Sequence, residues 1–583
     1  MTDHFVLLPL KQEVNPSNLK TMTRKKPHPQ ASAPVRPEET GAAPISSSKK
    51  KKTHFTFFNS RISYLLTFVT LWIFCTFTYG EVFTRTVQES FVTSDTEMMK
   101  HLTDQEHGQL YLMGRYCLLM FHNKWIGGLL FSLILTVTAR LFDYVFCVPK
   151  WLRGISALIP FAYLFFIVQE GISIYYKAEP SAFLLIGLGL FAVAMVLGII
   201  AKIIFSKFFP ARAIVAPQGW RKYPIGALVV LLSFVPLNYY AKTAGENTIL
   251  TAKMQNCILR NEVYSLGEIG LTAERPTRSV AAYCAVGLAY TDQILERLFD
   301  INFNFPDAHV DTSDGVGEYG IFVSDCNFYS GLLNASYRSA MDQNVMNGPR
   351  LYYLKRMALC AILNQEKELA QKYLDIISKV PFESDFVETY TPMMEKPELA
   401  TLEPSFNKVI SLIPREHKFE QNYRNPTFLG YHVGLMMGSN DALAPSIAAC
   451  LYSKDLANMA QRAMQYKKMV NYLPLSMQEA LSIFGRKNPS VYQVFPDLND
   501  ENLMNPAVTN VNNFYLTIQS YFQEKYDNAG DWREQMSKEL AGGISDDLRA
   551  YLQKDWLGHY VYYYYCENVA KKQEAKKEES GVN

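Results

Sequence analysis

Five apolar runs dominate the first 240 residues, at 62–79, 125–145, 155–175, 182–205 and 225–240. Each approaches the roughly 20 apolar residues that a helix needs to cross a bilayer, so each predicts a transmembrane span. A shorter run at 110–121 contains Arg115 and is too short to cross; it predicts an interfacial or re-entrant helix. Beyond residue 242 the pattern changes to helical periodicity. Leu351, Leu354, Met357, Ala358, Ala361 and Ile362 mark one buried face, and Leu369, Tyr373, Leu374 and Ile377 mark the next, with a break at Asn364 and a stop at Pro381.

Small residues twelve apart, Ala358 and Ala370, allow two antiparallel helices to approach closely, as in a tetratricopeptide unit. A second copy lies at 441–465, where Ala448 and Ala460 are again twelve apart, Ser453 is placed as N-cap, and Leu456, Met459 and Met464 form the second face. A loop-rich insertion is expected at 382–406. Further helices are expected at 279–299, 327–343, 476–484, 512–524 and 546–569. The fold class is therefore all-α: an N-terminal transmembrane helical domain followed by a tetratricopeptide-like α-solenoid. The divisions are a disordered basic tail at 1–60, a five-span domain at 61–241, a helical-repeat domain at 242–569 and a charged disordered tail at 570–583.

Charge sets the orientation. The four lysines at 49–52 and Arg61 precede the first span, Lys150 and Arg153 lie between the second and third, and Lys207, Arg212, Arg221 and Lys222 lie between the fourth and fifth. By the positive-inside rule these segments share the cytoplasmic face, which puts the N-terminus inside and the 242–569 domain outside. The first apolar run starts late and has no small-x-small site after it, so it is expected to stay as an anchor rather than be cleaved. The formal charge of +2 gives no global field for nucleic acid. Nine cysteines without a CxxC or CxxxC pair argue against structural zinc or a disulfide framework; the six outside the spans, at 257, 284, 326, 360, 450 and 566, are expected in the core.

Several stretches together resemble an uncharacterised family of multi-span membrane proteins from Bacteroidota. They are AAYCAVGLAYTDQILERLF (281–299), FYSGLLNASYRSAMD (328–342), LKRMALCAILNQEKELAQKYLDIISKVPF (354–382), NYLPLSMQEALSIF (471–484) and the aromatic close near Trp556. The resemblance implies a membrane domain followed by a tetratricopeptide-like domain in a two-membraned bacterium, and carries no chemistry with it. Leu475 and Ser476 depart from the basic or aromatic residues expected after the proline.

No HExxH, GxSxG, Walker A or GxGxxG signature occurs, and no catalytic, cofactor-binding or metal-binding residue is assigned. His309, Asp311, Asp314 and Glu318 lack the spacing of a calcium loop and read as a solvated turn. His101, Asp104 and His107 would meet on one helix face, and read as an exposed polar helix. Asn334 heads a formal glycosylation sequon inside a helix, which is uninformative. Arg140 and Asp143 can pair, each otherwise costing about 2.5 to 3.5 kcal/mol at mid-membrane, and are expected near a helix end with both charges snorkelling. Trp556, Tyr560, Tyr563 and Tyr564 fall on roughly one side of a terminal helix, with Tyr562 and Tyr565 on others, and are expected to pack on the preceding hairpin.

The functional expectation is an inner-membrane protein whose extracytoplasmic helical domain binds an envelope protein as a scaffold. Its partners would be the lipid bilayer and that protein, without nucleic acid. The alternative is a membrane enzyme acting on a glycan or lipid-linked sugar, using an acidic residue of the outer loop 80–124; Glu81, Asp95, Glu97 and Asp104 are its candidates.

Overall fold

The computed structural model describes residues 52–104, 107–149, 152–176, 179–208, 225–306, 308, 317–413, 440–499, 502–526 and 531–567. Residues 1–51 of the first predicted tail, the whole of the second and most of the turn at 309–318 lie outside these; residues 52–60, expected in the disordered tail, are instead the opening turns of a helix that continues into the first apolar run. Among the described residues every regular element is helical.

The membrane-like part begins with α1 (Lys52–Ile73), which runs into a π-helical turn, Phe74–Thr78. The next helix, α2 (Gly80–Glu89), leaves at 62° to the segment before it. Such a wide turn is a known cause of a sharp helix bend. Rings hold the bend in place: Phe83 on α2 stacks on Phe183 at 5.3 Å and lies 5.0 Å from Phe121. Then follow α3 (Thr96–Thr103), α4 (Gly108–Leu118), α5 (Lys124–Val145), α6 (Leu158–Glu170), α7 (Ala182–Phe208) and α8 (Ile225–Thr243).

Four helical segments, Lys124–Val145, Ile155–Ile174, Ala182–Ile203 and Ile225–Thr243, are long and apolar enough to cross a membrane, and a fifth crossing exists if the bent pair Ile62–Thr78 and Gly80–Glu89 counts as one. On these helices Leu133, Val193, Val196, Ile199, Leu232 and Val235 face outward uncovered. An apolar belt of that extent is unfavourable in water and suits a lipid solvent.

The helical region continues through α9 (Glu246–Leu259), α10 (Leu266–Gly270), α11 (Arg278–Tyr290), α12 (Ile294–Arg297), α13 (Tyr319–Tyr329), α14 (Leu333–Asn347), α15 (Leu351–Leu363), α16 (Lys367–Ser378), α17 (Ser384–Glu395) and α18 (Pro404–Leu412). From α13 to α17 each helix packs on the next. After residue 440 come α19 (Leu443–Ser453), α20 (Leu456–Met469), α21 (Leu475–Lys487), α22 (Val491–Val494), α23 (Pro506–Lys525), α24 (Asp531–Gly542), α25 (Asp546–Trp556) and α26 (Tyr560–Cys566). One hydrophobic core runs from Leu71 to Cys566, with Ala241 and Ala252 both in it, so the membrane-like and helical parts share an interior.

Both predicted hairpins form, and Ala358, Ala370, Ala448 and Ala460 are all buried at them. Several expectations need correction. Ser453 ends α19 and donates back to the Ala449 carbonyl; Asp455 is the N-cap of α20, accepting from the Asn458 amide at 3.2 Å. The insertion at 382–406 is largely helical, forming α17, a 3-10 segment Pro397–Leu402 and the start of α18, with prolines at the first position of both later pieces. The expected helix at 327–343 is two helices broken at Gly331, whose φ is +77°, and that at 546–569 is two broken at Gly558, φ +96°. The run at 279–299 likewise breaks after Tyr290.

Candidate functional site

The most concentrated buried charge in the described residues lies where α2 enters the helical region. Three arginines and two carboxylates meet there, all nearly or wholly buried: Arg85, Arg350, Arg356, Glu89 and Asp325. Arg85 pairs with Glu89 one turn along α2 and donates from Nε to Gln255 Oε1 at 2.8 Å. Glu89 also accepts from Arg350 Nη1 at 2.7 Å, and the same nitrogen reaches the Tyr175 carbonyl at 2.7 Å, just past the end of an apolar helix. A cation at the carbonyl end of a helix is favoured by the helix dipole.

A second carboxylate completes the network. Asp325 on α13 accepts from Tyr352 at 2.6 Å, from Tyr283 at 2.8 Å and from Arg356 Nη2 at 2.7 Å. Gln255 joins the two halves, donating from Nε2 to the Tyr283 hydroxyl at 3.0 Å. The Arg85 guanidinium lies 3.7 Å from the centre of the Tyr352 ring, and that of Arg356 lies 4.1 Å from the centre of Phe328. Stacked arginines of this kind keep their charge in a dry setting. Burial and then the Asp325 charge push the Tyr283 and Tyr352 hydroxyls well above their ordinary range, so both remain donors.

Beside this network Lys355 pairs with Glu383 at 2.5 Å and donates to Gln88 at 3.0 Å. Burial lowers the Lys355 pKa, and the Glu383 carboxylate opposes that shift. Residues after α2 continue along the hairpin: the Ser90 carbonyl accepts from the Leu351 amide, and the Ser94 amide donates to the Lys379 carbonyl. Residues 80–95 thus pack against the chain's own helical region, on α9 and along the α15–α16 hairpin. A buried network with this many arms can orient its elements, because a change at one arm leaves a charge unpaired.

The structure places the sequence candidates elsewhere. Glu81 pairs with Lys124 at 2.9 Å and accepts from Asn256 at 2.8 Å. Asp95 is the N-cap of α3 and pairs with Lys379 at 2.8 Å, which holds its carboxyl below the usual range. Helix α3 ends at Thr103 with Asp104 as its C-cap, and His107 lies beyond it as the left-handed N-cap of α4, so the expected single helix through positions 101, 104 and 107 does not form. Glu318 caps α11, accepting from the Ser279 amide at 2.8 Å; its expected companions at 309, 311 and 314 lie outside the described residues. Asp143 neither snorkels nor meets Arg140. It is buried and accepts from Tyr64, Gly154 and Ser156, while Arg140 is exposed.

The terminal aromatics pack inward, as expected, with Tyr560 donating to the Leu451 carbonyl at 3.2 Å and Tyr563 to that of Tyr452 at 2.5 Å. Trp556 belongs to the helix before the Gly558 break and does not share their face. The six cysteines outside the apolar spans are all buried, and all nine are free thiols.

Sequence reasoning overlooked Arg85, Glu89, Gln255, Asp325, Arg350 and Arg356. A signal existed in α15, where Lys355 and Arg356 stand among tyrosines and leucines with few other polar residues on any face. A helix with so little polar surface is buried all round, and its charges must then be paired.

Two overlapping matches, over residues 56–254 and 182–567, join the chain to a family described as a family of unknown function, DUF6057. The chain belongs to this family. No curated protein and no solved structure matches the chain significantly. The DUF6057 match covers both the apolar helices and the helical region, so the junction carrying Arg85, Glu89 and Arg350 lies within the family's own span.

Proposed function

We propose that this member of DUF6057 is a multi-span inner-membrane protein of a bacterial envelope whose extracytoplasmic, tetratricopeptide-like region binds an envelope protein as a scaffold. The N-terminus is then cytoplasmic and residues 242–569 lie outside, as the basic connections indicate. The observation that carries the reading is the fastening of α2 by the Arg85–Glu89–Arg350 pairs. Those pairs hold the helical region at one angle on the apolar helices, which suits a platform that presents a partner at a set position. The side of α15 toward α2 is already covered by residues 80–95, so the partner surface in this reading belongs to the outer faces of the helices after α15. The test is native-membrane extraction of the full chain after crosslinking from exposed positions such as Leu402 and Met504. A near-stoichiometric envelope protein joined at those positions supports the scaffold. A chain isolated alone, or with a bound polyprenyl lipid, opposes it.

A further inference from the structure

We infer that α4 is an interfacial helix that lies in the lipid headgroup layer on the outer side, and that its partner is the phospholipid bilayer itself. The inference rests on the membrane reading above. Leu110, Met113 and Tyr116 recur at i, i+3 and i+6 on α4 and are 50%, 53% and 50% exposed. An apolar stripe left open on an otherwise packed helix calls for an apolar cover.

The depth of α4 identifies that cover. Gly114 sits directly on α7: a Cβ there would come within 2.8 Å of the Leu185 side chain and of the Ser181 hydroxyl. Ser181 and Leu185 flank the first turn of a candidate span that starts at Ala182. At about 1.5 Å of rise per residue, Met113 therefore stands within about 6 Å of the level where that span begins. Amphipathic helices in the interface bury their apolar face about 5 to 10 Å into the headgroup and acyl boundary. The polar side agrees: Arg115 makes two bonds to Glu179, at 2.8 and 2.7 Å, three residues before the same span. The helical region adds a second apolar group near this level. Phe382 is 60% exposed and stacks on His122 at 4.6 Å, two residues before the span that begins at Lys124. Lipid on this shelf would resist tilting of the helical region, since α4 and the 380–383 turn flank the point where α2 enters it.

The test uses single nitroxide labels in the full-length chain, reconstituted in phospholipid vesicles, in a Cys117→Ser, Cys147→Ser background. Labels replace Met113, Tyr116, Val193 in mid-span and Met504 on the helical region. The readout is accessibility to oxygen against a nickel chelate. The expected result is that positions 113 and 116 resemble 193 in favouring oxygen several-fold over 504, at a shallower depth than 193. If 113 and 116 match 504 while 193 remains lipid-exposed, the inference fails alone. If 193 also matches 504, the membrane reading fails and takes the inference with it.

Discussion

Arg350 and Glu89 stand 261 positions apart in the chain, and their side chains meet at 2.7 Å with both nearly or wholly buried. The pair joins the first helix past the bend to the N-cap residue of α15. Because Glu89 also holds Arg85, one carboxylate serves two guanidinium groups.

Glu89→Gln leaves those two cations facing each other without a counter-charge. Removing one partner of a buried pair costs about 3 to 5 kcal/mol, so the variant should unfold at a clearly lower temperature in detergent. Glu534→Gln breaks an exposed pair with Lys538 and should leave the transition where it was. Adding Arg350→Met to Glu89→Gln should cost less than the sum of the two single changes, because the second removes the charge the first exposed. Additive losses would show that the two residues act independently.

Gly320→Ala tests the contact between the apolar helices and the helical region from another side. A Cβ at Gly320 would come within 1.6 Å of the Tyr176 hydroxyl and 2.6 Å of the Gln343 amide nitrogen. Overpacking of this kind costs about 1 to 3 kcal/mol. Tyr176→Phe removes the atom met first and should restore part of the loss, as read by the same thermal transition. Equal stability of Gly320→Ala and the parent would place Tyr176 elsewhere.

His559 gives the C-terminal end a pH dependence. Its Nδ1 lies 2.8 Å from the buried Glu479 carboxylate, which also accepts from Asn510 at 3.0 Å, and Asp300 is the other charged group facing it. The bond to Glu479 raises the His559 pKa against the opposing effect of burial. A group whose folded pKa is raised contributes stability that is complete below its unfolded value, about 6.5, and is lost as pH rises through the folded one. Trp556 lies 5.5 Å from the His559 ring and reports the site. Protection of α26 against hydrogen exchange should therefore fall from about pH 6.5 upward in the parent and stay flat over that window in His559→Gln. An identical slope in both would assign the dependence to another group.

Much of the fold was legible locally, and the site was not. The alanine spacing located both hairpins because each small residue is needed where two helices touch, and the period of 3.6 marked the faces of Leu354 and Leu374. The insertion at 382–406 escaped because Pro392, Pro397 and Pro404 read as breaks, whereas two of them begin helical pieces and one sits inside α17. The Arg85, Glu89 and Arg350 junction escaped for a different reason. Periodicity reports which face of a helix is apolar; it carries no record of which distant segment covers the polar face, and α15 is covered on all sides.

The loop carboxylates separate the scaffold from an enzyme. Glu81→Gln and Asp95→Asn weaken ion pairs to Lys124 and Lys379, and asparagine retains an N-cap at position 95. Cells carrying either variant at normal protein level should grow as the parent does. A phenotype equal to deletion would assign chemistry to that loop.

The most direct measurement is crosslinking in native membranes from Leu402 and Met504 of the full chain, followed by mass spectrometry of what co-purifies. The scaffold account predicts one envelope protein in near-stoichiometric yield, its crosslinks confined to the helices after α15. Recovery of the chain alone, or with a polyprenyl or glycolipid species at the loop after Gly80, would contradict it.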